Sequence, residues 1–172
     1  MKALITAGGR GTRLRPITYT RNKHMVPLAN RSMIHLAIEK IVQAGIKDIV
    51  ISMNEGEKSF PDLVREGLDF DVNLTFVEQK GGALGVAHVI KNAREYLEGD
   101  DFVFYLGDNI ILGDVGEYVK KFQDEKLDCL LCVSKVKDPQ RFGVPVIKDG
   151  RIVEVIEKPE NPPTDFAVAG IY

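Results

Sequence analysis

Short apolar runs and segments of helical periodicity alternate along most of this chain. Residues 2–7, Lys-Ala-Leu-Ile-Thr-Ala, form an apolar stretch closed by glycine, the pattern of a strand buried on both faces of a parallel sheet. Residues 48–53 and 101–106 predict further strands, and 72–77 a strand of alternating pattern. Ser32 is placed to cap a helix over 33–44, with apolar residues at 34, 37, 38, 41 and 42 on one face and Gly45 after its end. A shorter helix over 62–67 follows Pro61, which suits a first helical turn. Val86, Ile90, Ala93 and Leu97 define one face of a helix over 84–97 that stops before Gly99. A helix over 114–123 and a strand over 127–136 complete the alternating part.

The period then changes. Residues 142–148 and 152–156 read as two strands joined by Asp149-Gly150, a strong hairpin signal, and residues 166–172 read as a final strand. The pattern predicts one domain over residues 1–172, a three-layer α/β structure with a mostly parallel mixed sheet and a β-hairpin excursion. No repeat, low-complexity stretch or linker interrupts it.

Residues 8–31 fit neither period. A connection that long is usually functional or disordered, and Pro16 and Pro27 stiffen this one. Charge makes the segment stand out further. Residues 1–38 hold seven Lys or Arg and no acid before Glu39, while the 172-residue chain as a whole has 23 basic and 25 acidic residues. The remainder therefore carries 16 bases against 25 acids. So local an excess in a chain of net charge -2 points to a concentrated anion site, not to a basic face that wraps nucleic acid. No apolar run is long enough to span a bilayer, and residues 1–7 are too short for a signal peptide, so a cytoplasmic protein is expected. Cys129 and Cys132 lie in an apolar run, not at a helix start, and lack two further ligands for a structural zinc; buried, unpaired thiols are expected.

Ligands of parallel α/β sheets bind beyond the carboxyl ends of the strands. Two stretches lie there: Gly8-Gly-Arg-Gly-Thr-Arg13 after the first strand and Gly107-Asp-Asn109 after the fourth. Glycines let backbone N–H groups approach a phosphate, and Arg13 and Lys23 would neutralise it. The glycine stretch is not a P-loop, because no glycine-lysine-serine or glycine-lysine-threonine follows, and it lacks the third glycine of the dinucleotide fingerprint. An exposed loop would read similarly. Asp108 suits either a Mg²⁺ held against phosphate or a turn-capping carboxylate. Lys158, after Glu157, suits a second phosphate or a solvated surface pair. His24 and His35 have no visible carboxylate or hydroxyl partner and are not read as catalytic.

At these residues the chain resembles the sugar-nucleotide-forming nucleotidyltransferases, and among them the glucose-1-phosphate thymidylyltransferases. Ala7-Gly-Gly-Arg-Gly-Thr-Arg-Leu-Arg-Pro16 is similar to the family's GGxGTRLxP signature, Lys23-His-Met-Val-Pro27 to its lysine-glutamine-apolar-apolar-proline motif, and Leu106-Gly-Asp-Asn109 to its LGDN. Phe142-Gly-Val, Glu157-Lys-Pro159 and Gly170-Ile-Tyr172 resemble its FGV, EKP and GLY motifs, all in order from residue 1 to 172.

The resemblance implies a Rossmann-like nucleotidyltransferase fold. It implies Mg²⁺-dependent transfer of a nucleotidyl group from an NTP, dTTP or UTP, to a sugar 1-phosphate such as glucose 1-phosphate. By resemblance Gly8, Gly9, Gly11, Thr12 and Arg13 hold the triphosphate, Lys23 bridges the α-phosphate region, and Gln79 and Gly85 read the base. Asp108 holds Mg²⁺, and Gly143, Glu157, Lys158 and Tyr172 hold the sugar phosphate. Arg13, Lys23, Asp108 and Lys158 are the catalytic set. Three features depart from the family: His24 stands where Gln is common, the segment from Lys80 to Leu84 is one residue longer, and the family's chains continue past the GLY motif to a second metal-binding aspartate. The expected alternative is a binding module without turnover, or a fragment completed by a partner chain. An open C-terminal edge strand would also allow a homo-oligomer.

Overall fold

The computed structural model describes residues 1–82 and 84–172, and the chain divides into two compact units, Met1–Leu127 and Asp128–Tyr172. In the first unit β1 (Lys2–Ala7) is followed by three single 3₁₀ turns and a two-residue hairpin, β2 (Pro27–Leu28) with β3 (Arg31–Ser32). Then come α1 (Met33–Gln43), β4 (Asp48–Asn54), α2 (Phe60–Arg65), β5 (Asn73–Gln79), α3 (Val86–Asn92), α4 (Arg94–Leu97), β6 (Phe102–Leu106) and α5 (Val115–Asp124). The second unit holds β7 (Val133–Lys135), β8 (Gly143–Lys148), β9 (Arg151–Glu157) and β10 (Phe166–Val168).

The first unit is built on a parallel sheet of order β5-β4-β1-β6. The chain moves outward from β1 through β4 to β5, then returns across the sheet to β6. Crossovers of the usual right hand would put α1 and α2 on one face and α3 with α4 on the other. α1 packs on β1 and α5 beside α1, while α3 packs on β5. The apolar run that predicted a doubly buried strand is so: Ala3, Leu4 and Ile5 are fully enclosed, with Ile34, Ala37, Ile38 and Ile41 of α1 above them. Burying each large aliphatic side chain stabilises by roughly 1.5–3 kcal/mol, so this layer is the main support of β1. The reversal of direction leaves a crevice beyond the carboxyl ends of β1 and β6, the topological switch point of such sheets.

The Ser32 cap is as predicted, its hydroxyl accepting from the His35 N–H at 3.5 Å. His35 is not partnerless. Its Nδ1 lies 2.9 Å from Ser32 Oγ and its Nε2 2.7 Å from the Val64 carbonyl, which makes it a strut between α1 and α2. The single helix expected over 84–97 is two. Gly85 has φ 93°, outside the helical region, so the helix begins after it. Asn92 Nδ2 then donates to the His88 carbonyl at 2.9 Å, a side chain competing for a backbone acceptor where α3 ends. Ala83, in the longer segment from Lys80 to Leu84, lies outside the described residues.

The second unit has two antiparallel pairs, β8 with β9 and β7 with β10. Asp149 and Gly150 both have positive φ, 50° and 74°, as a two-residue hairpin turn demands. The strands expected over 127–136 and 166–172 shrink to three residues each, because Val133, Ser134 and Lys135 alone pair in register with Phe166–Val168. Cys129 therefore falls outside any strand and is exposed, and Cys132 is half-buried, its thiol pushed up to about 11 by burial. The thiols are free, as expected, but not buried.

The β6 end is held close to β1 at Gly107, whose N–H lies 3.2 Å from Thr6 Oγ1. Gly107 N–H donates to the Thr6 carbonyl at 3.1 Å, and a Cβ at Gly107 would stand 2.2 Å from that oxygen and 3.3 Å from His24 Cδ2. Gly107→Ala is expected to destabilise by about 3 kcal/mol, at the upper end for overpacking because the obstacle is backbone. A urea midpoint equal to that of the wild type would contradict this. His24 itself is fully enclosed, with Nδ1 2.9 Å from Asn22 Oδ1 and Nε2 unbonded. Burial first, and the Lys23 charge second, bring its pKa from 6.5 down to about 4. The folded state therefore keeps His24 neutral while the unfolded chain takes up a proton between those values, so stability falls as pH drops from 6.5 to 4. Relative to His24→Gln, the wild type should lose about 3 kcal/mol across that window, measured by urea unfolding at each pH. Parallel pH profiles would refute the assignment.

Candidate functional site

β1, β4 and β6 deliver three loops to one edge of the first unit. Gly8 and Gly9 follow β1, Asn54 ends β4, and Gly107 and Asp108 follow β6. The chain from Gly8 to Met25 folds over this edge in short turns, and the last of them, Lys23–Met25, sends Lys23 back across Gly9 toward β6. Lys23 Nζ reaches Asp108 Oδ2 at 2.6 Å. Half-burial alone would raise the Asp108 carboxyl, but the hydrogen bond and charge of Lys23 outweigh it and hold the group below its ordinary value. Lys23 is one-fifth exposed and Asp108 two-fifths, so both remain open to a ligand.

Gly9 has φ 102°, and its N–H donates to Asn54 Oδ1 at 2.6 Å. That amide is occupied in the fold, so Gly9 shapes the turn. Gly11 begins the turn Thr12–Leu14, and its carbonyl accepts from Thr18 Oγ1 at 2.7 Å. Thr12 and Arg13 are exposed on that turn, and Arg13 pairs with no carboxylate among the described residues. Gln79, the last residue of β5, lies over Gly8: a Cβ there would stand 2.8 Å from Gln79 Oε1. Its Nε2 donates to the Gly82 carbonyl at 2.9 Å. Gly85 is exposed at the start of α3, with open space where a side chain would be.

A cleft of about 1300 Å³ opens beside these residues, walled by Gly9, Lys23, Asn54 and Gln79 together with Arg10, Arg15, Arg21 and Lys58. Arg15 lies over the Tyr19 ring, 5.0 Å from its centroid. The acid-free segment thus lines a concave surface, which it shares with Glu55 and Glu57. The sequence-predicted residues of this unit divide in two. Gly8, Gly9, Gly11, Lys23, Gln79 and Asp108 are brought together, whereas Thr12, Arg13 and Gly85 are exposed and do not line the cleft. Sequence reasoning missed Asn22, Asn54 and Glu57, which bind one another inside the cleft wall; the position of Asn54 at a strand's carboxyl end was the one available signal.

The remaining predicted residues gather in the second unit. Gly143 pairs with Glu157 across the β8–β9 hairpin, and a Cβ on Gly143 would lie 3.4 Å from Glu157 Oε2. Lys158 Nζ is 3.2 Å from Glu157 Oε1, and Lys158 N–H donates to the Phe142 carbonyl at 2.9 Å. Tyr172 is half-buried, its hydroxyl raised by burial and then by the Glu157 charge. A carboxylate, an ammonium and a phenol so placed suit a polyhydroxylated anion.

Comparison with known proteins accords with this geometry. The sequence profile of the family described as Nucleotidyl transferase matches residues 2–172. A glucose-1-phosphate thymidylyltransferase of Streptomyces antibioticus is 41% identical over the whole of this chain and 49% of its own length. A low-salt glycan biosynthesis nucleotidyltransferase of Haloferax volcanii is 39% identical over the whole chain and 48% of its own length. A solved structure from Bacillus anthracis, assigned as a glucose-1-phosphate thymidylyltransferase in complex with sucrose, superimposes with a TM-score of 0.90 at 37% identity. It matches over 99% of this chain and 70% of that one. The chain spans about half the length of the curated relatives it matches first. With its Rossmann-like α/β sheet and its glycine turn in register, the chain belongs to the nucleotidyl transferase family.

Proposed function

We propose that the protein transfers a nucleotidyl group from an NTP, dTTP or UTP, to a sugar 1-phosphate, glucose 1-phosphate in the first instance, and releases pyrophosphate. The observation that carries this reading is the Lys23–Asp108 pair, a cation and a carboxylate 2.6 Å apart beyond the carboxyl ends of β1 and β6. A phosphate oxygen of the sugar phosphate attacks the α-phosphorus in line. As that P–O bond forms, the bond to the β-phosphate oxygen breaks, and pyrophosphate leaves with the electron pair. No side chain need become covalently attached, so the protein contributes positioning and charge neutralisation.

In this reading Lys23 turns from Asp108 to the α-phosphate. The Gly8, Gly11 and Thr12 amides and Arg13 receive the β- and γ-phosphates, Gln79 and Gly85 face the base, and Gly143, Glu157, Lys158 and Tyr172 hold the sugar phosphate. Asp108 fits Mg²⁺, a hard cation that binds proteins through one or two carboxylates plus substrate phosphates: it is half-exposed, and its pKa is held down. Bound there, Mg²⁺ would neutralise phosphate charge. Among the described residues, no group of three or more His, Cys, Asp or Glu gathers as a metal site, so Asp108 would hold the ion together with substrate phosphates. Among those residues, too, no helix is long and apolar enough to cross a membrane.

Pyrophosphate release, measured with four NTPs crossed with several sugar 1-phosphates, should require one sugar phosphate and Mg²⁺. Absence of release with every pair, alongside measurable NTP binding, would favour the binding module. In an active preparation Asp108→Asn should lower release by about 100-fold or more, as expected for loss of an electrostatic partner of the phosphates. Retained release would place the metal on another carboxylate.

A further inference from the structure

Glu57 has no role in the chemistry above, yet it stands where two arms of the site meet. Its Oε1 accepts from Asn54 Nδ2 at 2.7 Å and its Oε2 from Asn22 Nδ2 at 2.7 Å. Asn54 Oδ1 takes the Gly9 N–H at 2.6 Å. Asn22 Oδ1 takes the His24 N–H at 2.9 Å, and Asn22 Nδ2 also reaches the Ala7 carbonyl at 3.0 Å. Four part-buried hydrogen bonds and one more to the end of β1 therefore tie together Ala7, Gly9, the end of β4 and the turn that carries Lys23.

The direction of every bond in this relay is determined. Gly9 and His24 offer backbone N–H groups, which donate only, so each asparagine must turn its oxygen to the backbone. Both NH₂ groups then face Glu57. A carboxylate accepts from both, whereas a glutamine in the same shape would present an NH₂ to one of them and leave a donor facing a donor. The site thus requires a carboxylate at residue 57 for reasons of hydrogen-bond polarity, not of charge toward a phosphate.

We infer that Asn22, Glu57 and Asn54 form a positioning network that sets the glycine turn and Lys23 in register with one another. Its consequence for nucleotide binding rests on the reading given under Proposed function; its effect on the loop does not. Neither asparagine nor Glu57 touches the reacting atoms in that reading. They act through Gly9 and Lys23.

The polarity argument supplies its own test. Glu57→Gln breaks the relay, but Asn54→Asp combined with Glu57→Gln rebuilds it at unchanged net charge: one Asp oxygen accepts from Gly9, the other from the Gln NH₂, and the Gln oxygen accepts from Asn22. The two readouts are hydrogen exchange at the Gly9 amide without ligand, and dTTP binding by calorimetry with Mg²⁺ present. Glu57→Gln is expected to speed Gly9 exchange and to weaken dTTP binding, each by about tenfold. The double variant is expected to restore both, which a role in global stability alone would not reproduce. A double variant that fails to fold, or that exchanges at Gly9 no more slowly than Glu57→Gln, overturns the network. If the wild type binds dTTP and all variants bind it equally, the positioning role is overturned. If the wild type binds no dTTP, the proposed function fails while Gly9 exchange still decides for or against the network.

Discussion

The loop of residues 8–31 carries six Lys or Arg and no acid of its own, and the Lys23–Asp108 pair ties it to the end of β6. The pair crosses from the turn after residue 22 to the end of β6 at 2.6 Å, over the point where the sheet reverses its direction. Most of the other ion pairs are solvated, such as Lys47–Asp71 with side chains 65% and 98% exposed, and pairs of that kind contribute little. The one at the switch point differs because its partners are more sheltered and because His24, neutral and enclosed beneath it, adds no competing charge. A phosphate that reached Lys23 would take over the role of Asp108, and that carboxylate would be released toward a cation. In the proposed reading the same contact would serve the fold without ligand and prepare it for one.

The geometry around the pair depends on small residues and on amides. Gly107 admits the close approach of β6 to β1, Gly9 makes the left-handed turn, and the asparagines orient their oxygens toward backbone donors. In the proposed reading charge would attract the anion, while these neutral groups would decide where it can sit. Such a division suits a reaction in which no side chain is consumed and in which distances between phosphates and donors set the rate.

How much of this was legible in the sequence follows from the range of each interaction. β1, α1, β4 and the Asp149-Gly150 hairpin were readable because their signals are local: an apolar run, a cap with a stripe, a turn dipeptide. The extents of β7 and β10 were not, since only partner pairing sets where those strands stop. The break between α3 and α4 needed the Asn92 side chain, and the exposure of Cys129 needed the shortened strand. At the site, Lys23, Asp108 and the glycine turn were visible as motifs, but Glu57 was one acid among 25 until contacts across 35 residues of sequence gave it a place. His35 is the converse case, its hydroxyl partner only three residues away and overlooked because Ser32 already served as a cap.

The most direct test is to titrate this chain with dTTP and Mg²⁺ while following the backbone amides and the Lys23 ammonium by NMR. The account predicts saturable shifts at Gly8, Gly11, Thr12 and the Lys23 Nζ group, with the Asp108 carboxyl changing at the same midpoint. Saturation with shifts confined to residues outside the Gly8–Lys23 segment, or an unchanged Lys23–Asp108 pair, would contradict it.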